Sequence, residues 1–166
     1  MNVHIRWMIR RDIAAVLSIE QASFEFSWSE EDFLLCIRKN NCIGMVAECD
    51  ERVVGFMIYE FNKDHLHILK FAVHPDVRRR GVGCQMVEKL ISKLRHGGRY
   101  RISLEISESN FAGQMFFKNA GFVATGVLRN HYIQNDDDAY EMVYSYKEPV
   151  VTCDKIINRI HGKVKR

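Results

Sequence analysis

Apolar positions in the first forty residues recur at helical spacing: Ile13, Val16 and Leu17 share a face after Asp12, and Phe33, Leu34 and Ile37 share one after Ser29. Asp12 is a suitable N-cap, and Ser29 followed three residues later by Asp32 makes a capping-box-like start, so a helix is predicted from each. From Cys42 the period becomes that of strands. The runs Ile43 to Cys49 and Val53 to Phe61, separated by the turn-forming Asp50-Glu51-Arg52, predict an antiparallel hairpin. Leu66 to Val73 extends it to a three-strand meander that ends at His74-Pro75, because proline cannot donate the next ladder hydrogen bond.

Val82, Met86, Val87, Leu90, Ile91 and Leu94 then repeat at intervals of three and four and predict an amphipathic helix that Gly97-Gly98 ends. Ile102, Leu104 and Ile106 alternate with Ser103, Glu105 and Ser107, which reads as a strand with one polar face. A short helix from about Asn110 stops at Gly121. Two final strands, Phe122 to Leu128 and Tyr140 to Tyr146, flank the polar loop Asn135 to Asp138. Helices, meander, helix, strand, helix and strand pair together predict a mixed sheet with helices on its faces.

A chain of 166 residues fits one domain. Its charge of +3 is compatible with an anionic ligand and too small to point to nucleic acid, so no direct nucleic-acid binding is expected. Five cysteines without a C-x-x-C pair, an odd number, read as reduced thiols. No apolar run approaches the roughly 20 residues needed to cross a bilayer, so no membrane contact and a cytoplasmic location are expected. In the tail, Ile156, Ile157, Ile160 and Val164 recur at helical spacing among Lys155, Arg159, Lys163, Lys165 and Arg166. They predict a domain over residues 1–146 with a basic extension over 147–166, either an amphipathic helix or a solvated tail.

The turn Arg78-Arg79-Arg80-Gly81-Val82-Gly83 joins the third strand to the longest amphipathic helix. Gly81 and Gly83 let backbone N–H groups approach an anion at the positive end of that helix, and three arginines add attraction for phosphate oxygens; a pyrophosphate fits. The alternative is a tight turn under a solvated arginine run. Neither G-K-S/T nor a G-x-G-x-x-G after a first strand is present, which sets aside the P-loop and Rossmann nucleotide folds.

Arg78, Gly81 and Gly83, preceded by F-A-V-H-P, resemble the acetyl-CoA loop Q/R-x-x-G-x-G/A of the GNAT superfamily of acetyltransferases. I-E-Q-A-S-F from Ile19, W-S-E-E-D-F from Trp28, L-E-I-S-E-S-N from Leu104, F-F-K-N-A-G-F from Phe116, R-N-H-Y from Arg129 and D-A-Y-E-M from Asp138 are most similar to the RimI-type ribosomal-protein alanine N-acetyltransferases. The resemblance spans roughly residues 5 to 146. It implies a three-layer α/β (α+β mixed) fold whose mostly antiparallel sheet is splayed at its centre to admit the pantetheine arm. It also implies acetyl-CoA as cosubstrate, no metal, and cofactor contacts from Phe71, Ala72, Val73, Arg78, Arg79, Arg80, Gly81, Val82, Gly83, Cys84, Asn110 and Phe117.

Acetyl transfer to an amine needs its neutral form, while an α-amino group has a pKa near 7.7–8.0 and a lysine amine one near 10.4, so a base is required. Glu105, on the polar face of its strand and at the position of the base in the resembled enzymes, is the candidate; a solvated surface charge is the ordinary alternative. The family's usual tyrosine acid falls at Phe117, which has no hydroxyl. Either the thiolate leaves unaided, or another hydroxyl, Tyr132 or Tyr140, serves, or the chain only senses acyl-CoA. Phe26, Trp28, His131 and Tyr132 are candidates for lining the amine side, with core packing the competing role for Phe26 and Tyr132. The acceptor expected from the resemblance is a protein N-terminus, that of a ribosomal protein; a lysine, polyamine or small-molecule amine is the alternative.

Overall fold

The computed structural model describes residues 1–146, the side chains at 95–97 excepted; the basic extension 147–166 and the helix expected in it lie outside the described residues. The elements run β1 (His4–Trp7), α1 (Ile13–Gln21), α2 (Glu30–Ile37), β2 (Cys42–Cys49), β3 (Arg52–Phe61), β4 (His65–Val73), α3 (Val82–Gly97), β5 (Arg101–Ser107), α4 (Phe111–Asn119), β6 (Val123–Tyr132) and β7 (Asp137–Ser145). The strands form one sheet in the order β1-β2-β3-β4-β5-β7-β6. Among the described residues β4 and β5 pair parallel, and every other neighbouring pair is antiparallel.

The sheet is the middle of three layers. On one face α1 and α2 lay Val16, Ile19 and Phe33 against Val46, Phe56, Ile58 and Ala72. On the other, Val82, Met86, Val87, Leu90 and Leu94 of α3 and Phe117 of α4 pack on Met57, Tyr59, Leu66, Ile68, Ile102, Leu104 and Ile106. Burying such apolar side chains is worth about 1.5–3 kcal/mol each and is the main force holding the layers together. Burial pushes the Tyr59 phenol up to about 12, which keeps it neutral within that core.

Local signals decide the helix starts, with one exception. Ser29 accepts from the Asp32 N–H at 3.2 Å while the Asp32 carboxylate accepts from the Ser29 N–H at 2.8 Å, closing the capping box that opens α2. Asp12 precedes α1 yet makes no side-chain cap bond. Its carboxylate instead accepts from the Arg6 guanidinium at 2.7 and 2.9 Å and from the Ile9 N–H at 2.9 Å. The hydrogen bond from Arg6 holds the Asp12 carboxyl below the usual carboxylate range. Arg6 also pairs with Glu48, and so ties β1, an edge strand of four residues too short to show a period, to β2.

The last two strands are longer than their apolar pattern predicts: β6 continues to Tyr132 and β7 begins at Asp137. Asp137 and Asp138 read as loop residues because of their charge. Here Asp137 accepts from the Ser107 and Ser109 hydroxyls at 2.5 and 2.6 Å, and Asp138 from the Asn130 N–H at 2.8 Å, so both enter the strand with their carboxylates supplied.

Candidate active site

The parallel ladder between β4 and β5 runs from His65 opposite Arg101 to Ile68 opposite Leu104 and stops there. At that point β4 bulges: Tyr59 of β3 pairs with Ile68 but Ile58 pairs with Lys70, leaving Leu69 extra. Beyond it, among the described residues, β4 keeps only β3 as a neighbour, and β5 keeps only β7. The stretch from Leu69 to Val73 therefore presents backbone N–H and C=O groups to a cleft in the middle of the sheet, where none of the described strands pairs with them.

The chain leaves β4 through His74-Pro75 and enters α3 through a backbone that needs left-handed residues: Arg79 has φ +62° and Gly81 +80°. Gly81 is the N-cap of α3 and supplies no side-chain cap bond, so the first-turn N–H groups face out beneath exposed Arg79 and Arg80. At Gly83 any Cβ would stand 3.1 Å from the Phe116 ring, which makes glycine the residue that lets α3 and α4 close on each other. These features give the turn at one mouth of the cleft the donors and charge to hold an anion.

Glu105 lies just past the split, on the face of β5 opposite Leu104 and Ile106, whose side chains enter the α3–α4 core. His131 brings Nε2 to 2.9 Å from Glu105 Oε2, and the Tyr132 hydroxyl stands 3.4 Å from the Glu105 carbonyl oxygen. Burial, together with the charges of Glu105 and Asp137, raises the Tyr132 phenol above its ordinary value, so it remains a proton donor at neutral pH. Directly opposite Glu105 on β7 is Glu141, whose Oε2 accepts from the Thr125 hydroxyl at 2.7 Å.

Residues 13–122 match the acetyltransferase (GNAT) family. The chain belongs to the GNAT acetyltransferase family. It is 32% identical over 133 residues to the ribosomal protein bS18-alanine N-acetyltransferase of Salmonella typhimurium, a match covering 79% of this chain and 89% of that one. The solved ribosomal-protein-S18-alanine N-acetyltransferase from Escherichia coli superposes with a TM-score of 0.80 at 25% identity, over 91% of this chain and 99% of that one. Ard1 from Thermoplasma volcanium does so with a TM-score of 0.81 at 29% identity, over 89% and 100%. This GNAT chain is an N-acetyltransferase, and its mixed, centrally splayed sheet is the fold of the family.

The fold gathers Glu105, His131 and Tyr132 into one cluster and gives the other residues singled out in the sequence different surroundings. Phe117 is buried, its ring centroid 5.5 Å from Phe71, 5.0 Å from Phe116 and 5.1 Å from Phe122. Tyr140 packs on the α3–α4 core, the face away from Glu105, so of the two tyrosines Tyr132 is the one beside Glu105. Arg78 is engaged, donating to the Val73 carbonyl and the Ser23 hydroxyl, both at 2.9 Å. Cys84 is exposed in the first turn of α3. Asn110 caps α4 through a 3.0 Å bond accepted from the Gly113 N–H. Phe26 is 46% exposed on the connection between α1 and α2 and not in the core, whereas Trp28 packs edge-on to Phe33 at 5.2 Å.

Two features of the site had only faint sequence signals. Glu20 is fully buried, and its Oε1 accepts from the Lys70 ammonium at 2.6 Å and from the Trp28 N–H at 2.8 Å. The Lys70 ammonium also lies 4.2 Å from the centroid of Phe24 and 5.1 Å from that of Trp28. The signal was a glutamate four residues after Val16, on the face of α1 that turns inward. The second is a buckle in β6: between Leu128, opposite Ala139, and Tyr132, opposite Asp137, β6 spends two more residues than β7. Asn130 sits there at φ +49°, a conformation asparagine tolerates better than most residues.

Proposed function

We propose that this N-acetyltransferase moves an acetyl group from acetyl-CoA to the α-amino group of a protein N-terminus; its relatives are named ribosomal protein bS18-alanine N-acetyltransferases, which supports the reading. The observation that carries the reading is the position of Glu105, at the fork of β4 and β5 and in one cluster with His131 and Tyr132.

The cleft suits the cosubstrate. Its β4 edge offers the Phe71, Ala72 and Val73 backbone to the amides of an extended pantetheine arm, and Arg79, Arg80, Gly81, Val82, Gly83 and Cys84 offer donors and charge to a diphosphate. Arg78 supports the turn from below through its bonds to Val73 and Ser23. Asn110, at the exposed N-terminus of α4, and Phe117, beneath Phe71, complete the cofactor side. Bound acetyl-CoA supplies the acyl group as a thioester.

On the acceptor side Glu105 takes the proton that the ammonium must lose, and the Tyr132 phenol, kept protonated by its burial, is the tyrosine beside Glu105 that serves as donor in place of Phe117. Phe26 and Trp28 border the cleft from the α1–α2 connection, and His131 and Tyr132 border it from β6. Residues 1–146 constitute the acetyltransferase domain in this reading, and 147–166 an extension to it.

Incubation with acetyl-CoA and a panel of peptides differing in their first residue, beside free lysine and polyamines, tests the proposal by mass spectrometry. One added acetyl group on the α-amine of an alanine-starting peptide, with little on the small amines, is the expected result. Acetylation of the small amines alone would overturn the acceptor, and acetyl-CoA binding without any product would mark the chain as a sensor.

A further inference from the structure

We infer that residues 1–3 and the Gln85 side chain brace the arginine-glycine turn, and that Gln85 is thereby a positioning residue for the diphosphate of acetyl-CoA. The inference rests on the turn holding that diphosphate, and it gives a role to residues that lie outside the fork.

Residues 1–3 precede β1 and reach the start of α3. Their far end is anchored independently of the turn. Val3 and Ile5 are half-buried against the core on the α3 side of the sheet, and Arg6 ties β1 to Asp12 and Glu48. Three hydrogen bonds then join the segment to the turn and the helix behind it. Met1 N donates to the Arg80 carbonyl at 3.1 Å, Gln85 Nε2 donates to the Met1 carbonyl at 2.7 Å, and the Val3 N–H donates to Gln85 Oε1 at 3.3 Å. Gln85 Nε2 also donates to the Gly81 carbonyl at 3.2 Å, which the Gln85 backbone N–H reaches at 3.2 Å as well. The amide nitrogen therefore faces two carbonyls and the amide oxygen faces an N–H, the orientation in which all three side-chain bonds form.

These bonds hold carbonyls, and through them they aim N–H groups. A trans peptide sets its C=O and N–H on opposite sides of one plane, and no peptide among the described residues is cis. Holding the Arg80 carbonyl toward Met1 turns the Gly81 N–H the other way, and holding the Gly81 carbonyl toward Gln85 does the same for the Val82 N–H. Gly81, at φ +80° and without a Cβ, has the most backbone freedom to lose when an anion orders the turn. The exposed Arg79 and Arg80 supply attraction without a fixed direction, and the brace supplies the direction. Arg78 ties the beginning of the turn to Val73 and Ser23, so the turn is held at both ends.

Gln85→Met keeps the length and helix preference of the side chain and removes its three hydrogen bonds. Calorimetric titration with coenzyme A is expected to give a Kd about fivefold higher in the variant, while kcat with acetyl-CoA and a peptide that the wild-type enzyme acetylates stays within about twofold. S-acetylpantetheine, which carries the arm without a diphosphate, separates aiming from a general loosening of the site: its kcat/KM is expected to be the same in both proteins. An unchanged Kd for coenzyme A in Gln85→Met would overturn the inference, and so would an equal loss with S-acetylpantetheine. Wild-type protein that binds no coenzyme A would overturn the cosubstrate reading itself, and the role of Gln85 with it.

Discussion

Glu105→Gln should lower kcat about a hundredfold at pH 7 while leaving the affinity for acetyl-CoA unchanged. The size follows from the acceptor. At pH 7 roughly one α-amino group in seven is already neutral, against about one lysine amine in 2,500. For an α-amine, supplying the neutral form accounts for less than tenfold of the base's contribution. The remainder comes from removing the second proton as the N–C bond forms, within the 10²–10⁴ typical of a positioned base. The defect should narrow toward pH 9, where solution deprotonates the α-amine unaided; a lysine acceptor would show a larger defect that persists there. Steady-state rates from pH 6 to 9 check both points, and unchanged turnover would remove Glu105 from the mechanism.

Lys70→Met should be the most destabilising single change in the site, by roughly 3–5 kcal/mol, because it leaves the fully buried Glu20 carboxylate without its cation. Among the described residues Glu20 Oε2 has no hydrogen-bond partner as it is, so no second donor there stands ready to compensate. The double variant Glu20→Leu, Lys70→Met removes both charges and should recover most of the loss, since replacing a buried pair with apolar groups of similar size is close to neutral. Urea denaturation of the three proteins measures this. A Lys70→Met protein within about 1 kcal/mol of wild type would show that the pair contributes little. The double variant also releases Trp28, whose N–H donates to Glu20, so KM for the acceptor peptide should rise even where stability returns.

Both predictions depend on features that differ in how well the sequence announces them. The meander, α3 and the alternating β5 are written in strong periods, and with them the polar face that carries Glu105. The glycine-arginine turn is equally legible, because Gly81 and Gly83 sit between a strand and a helix. A pattern cannot show where paired strands part: the split after Ile68 and Leu104 coincides with a bulge at Leu69, and Leu69 is as apolar as the Ile68 before it. The buckle in β6 is hidden for a related reason. Arg129, Asn130 and His131 look like the end of a strand, and only Asp138, eight residues beyond Asn130 and read as loop, turns them into a clamped arm. Polar residues that partner one another across strands are where pattern reading fails, since each alone resembles solvated surface.

The fork between β4 and β5, with the arginine-glycine turn at its mouth, is the claim on which the rest depends. Crystals soaked with coenzyme A test it most directly. The diphosphate is expected over the N–H groups of residues 79–84, with the pantetheine arm along β4 and its sulfur on the side of Glu105 and Tyr132. Coenzyme A bound outside the fork, or with its sulfur directed away from Glu105, would contradict it.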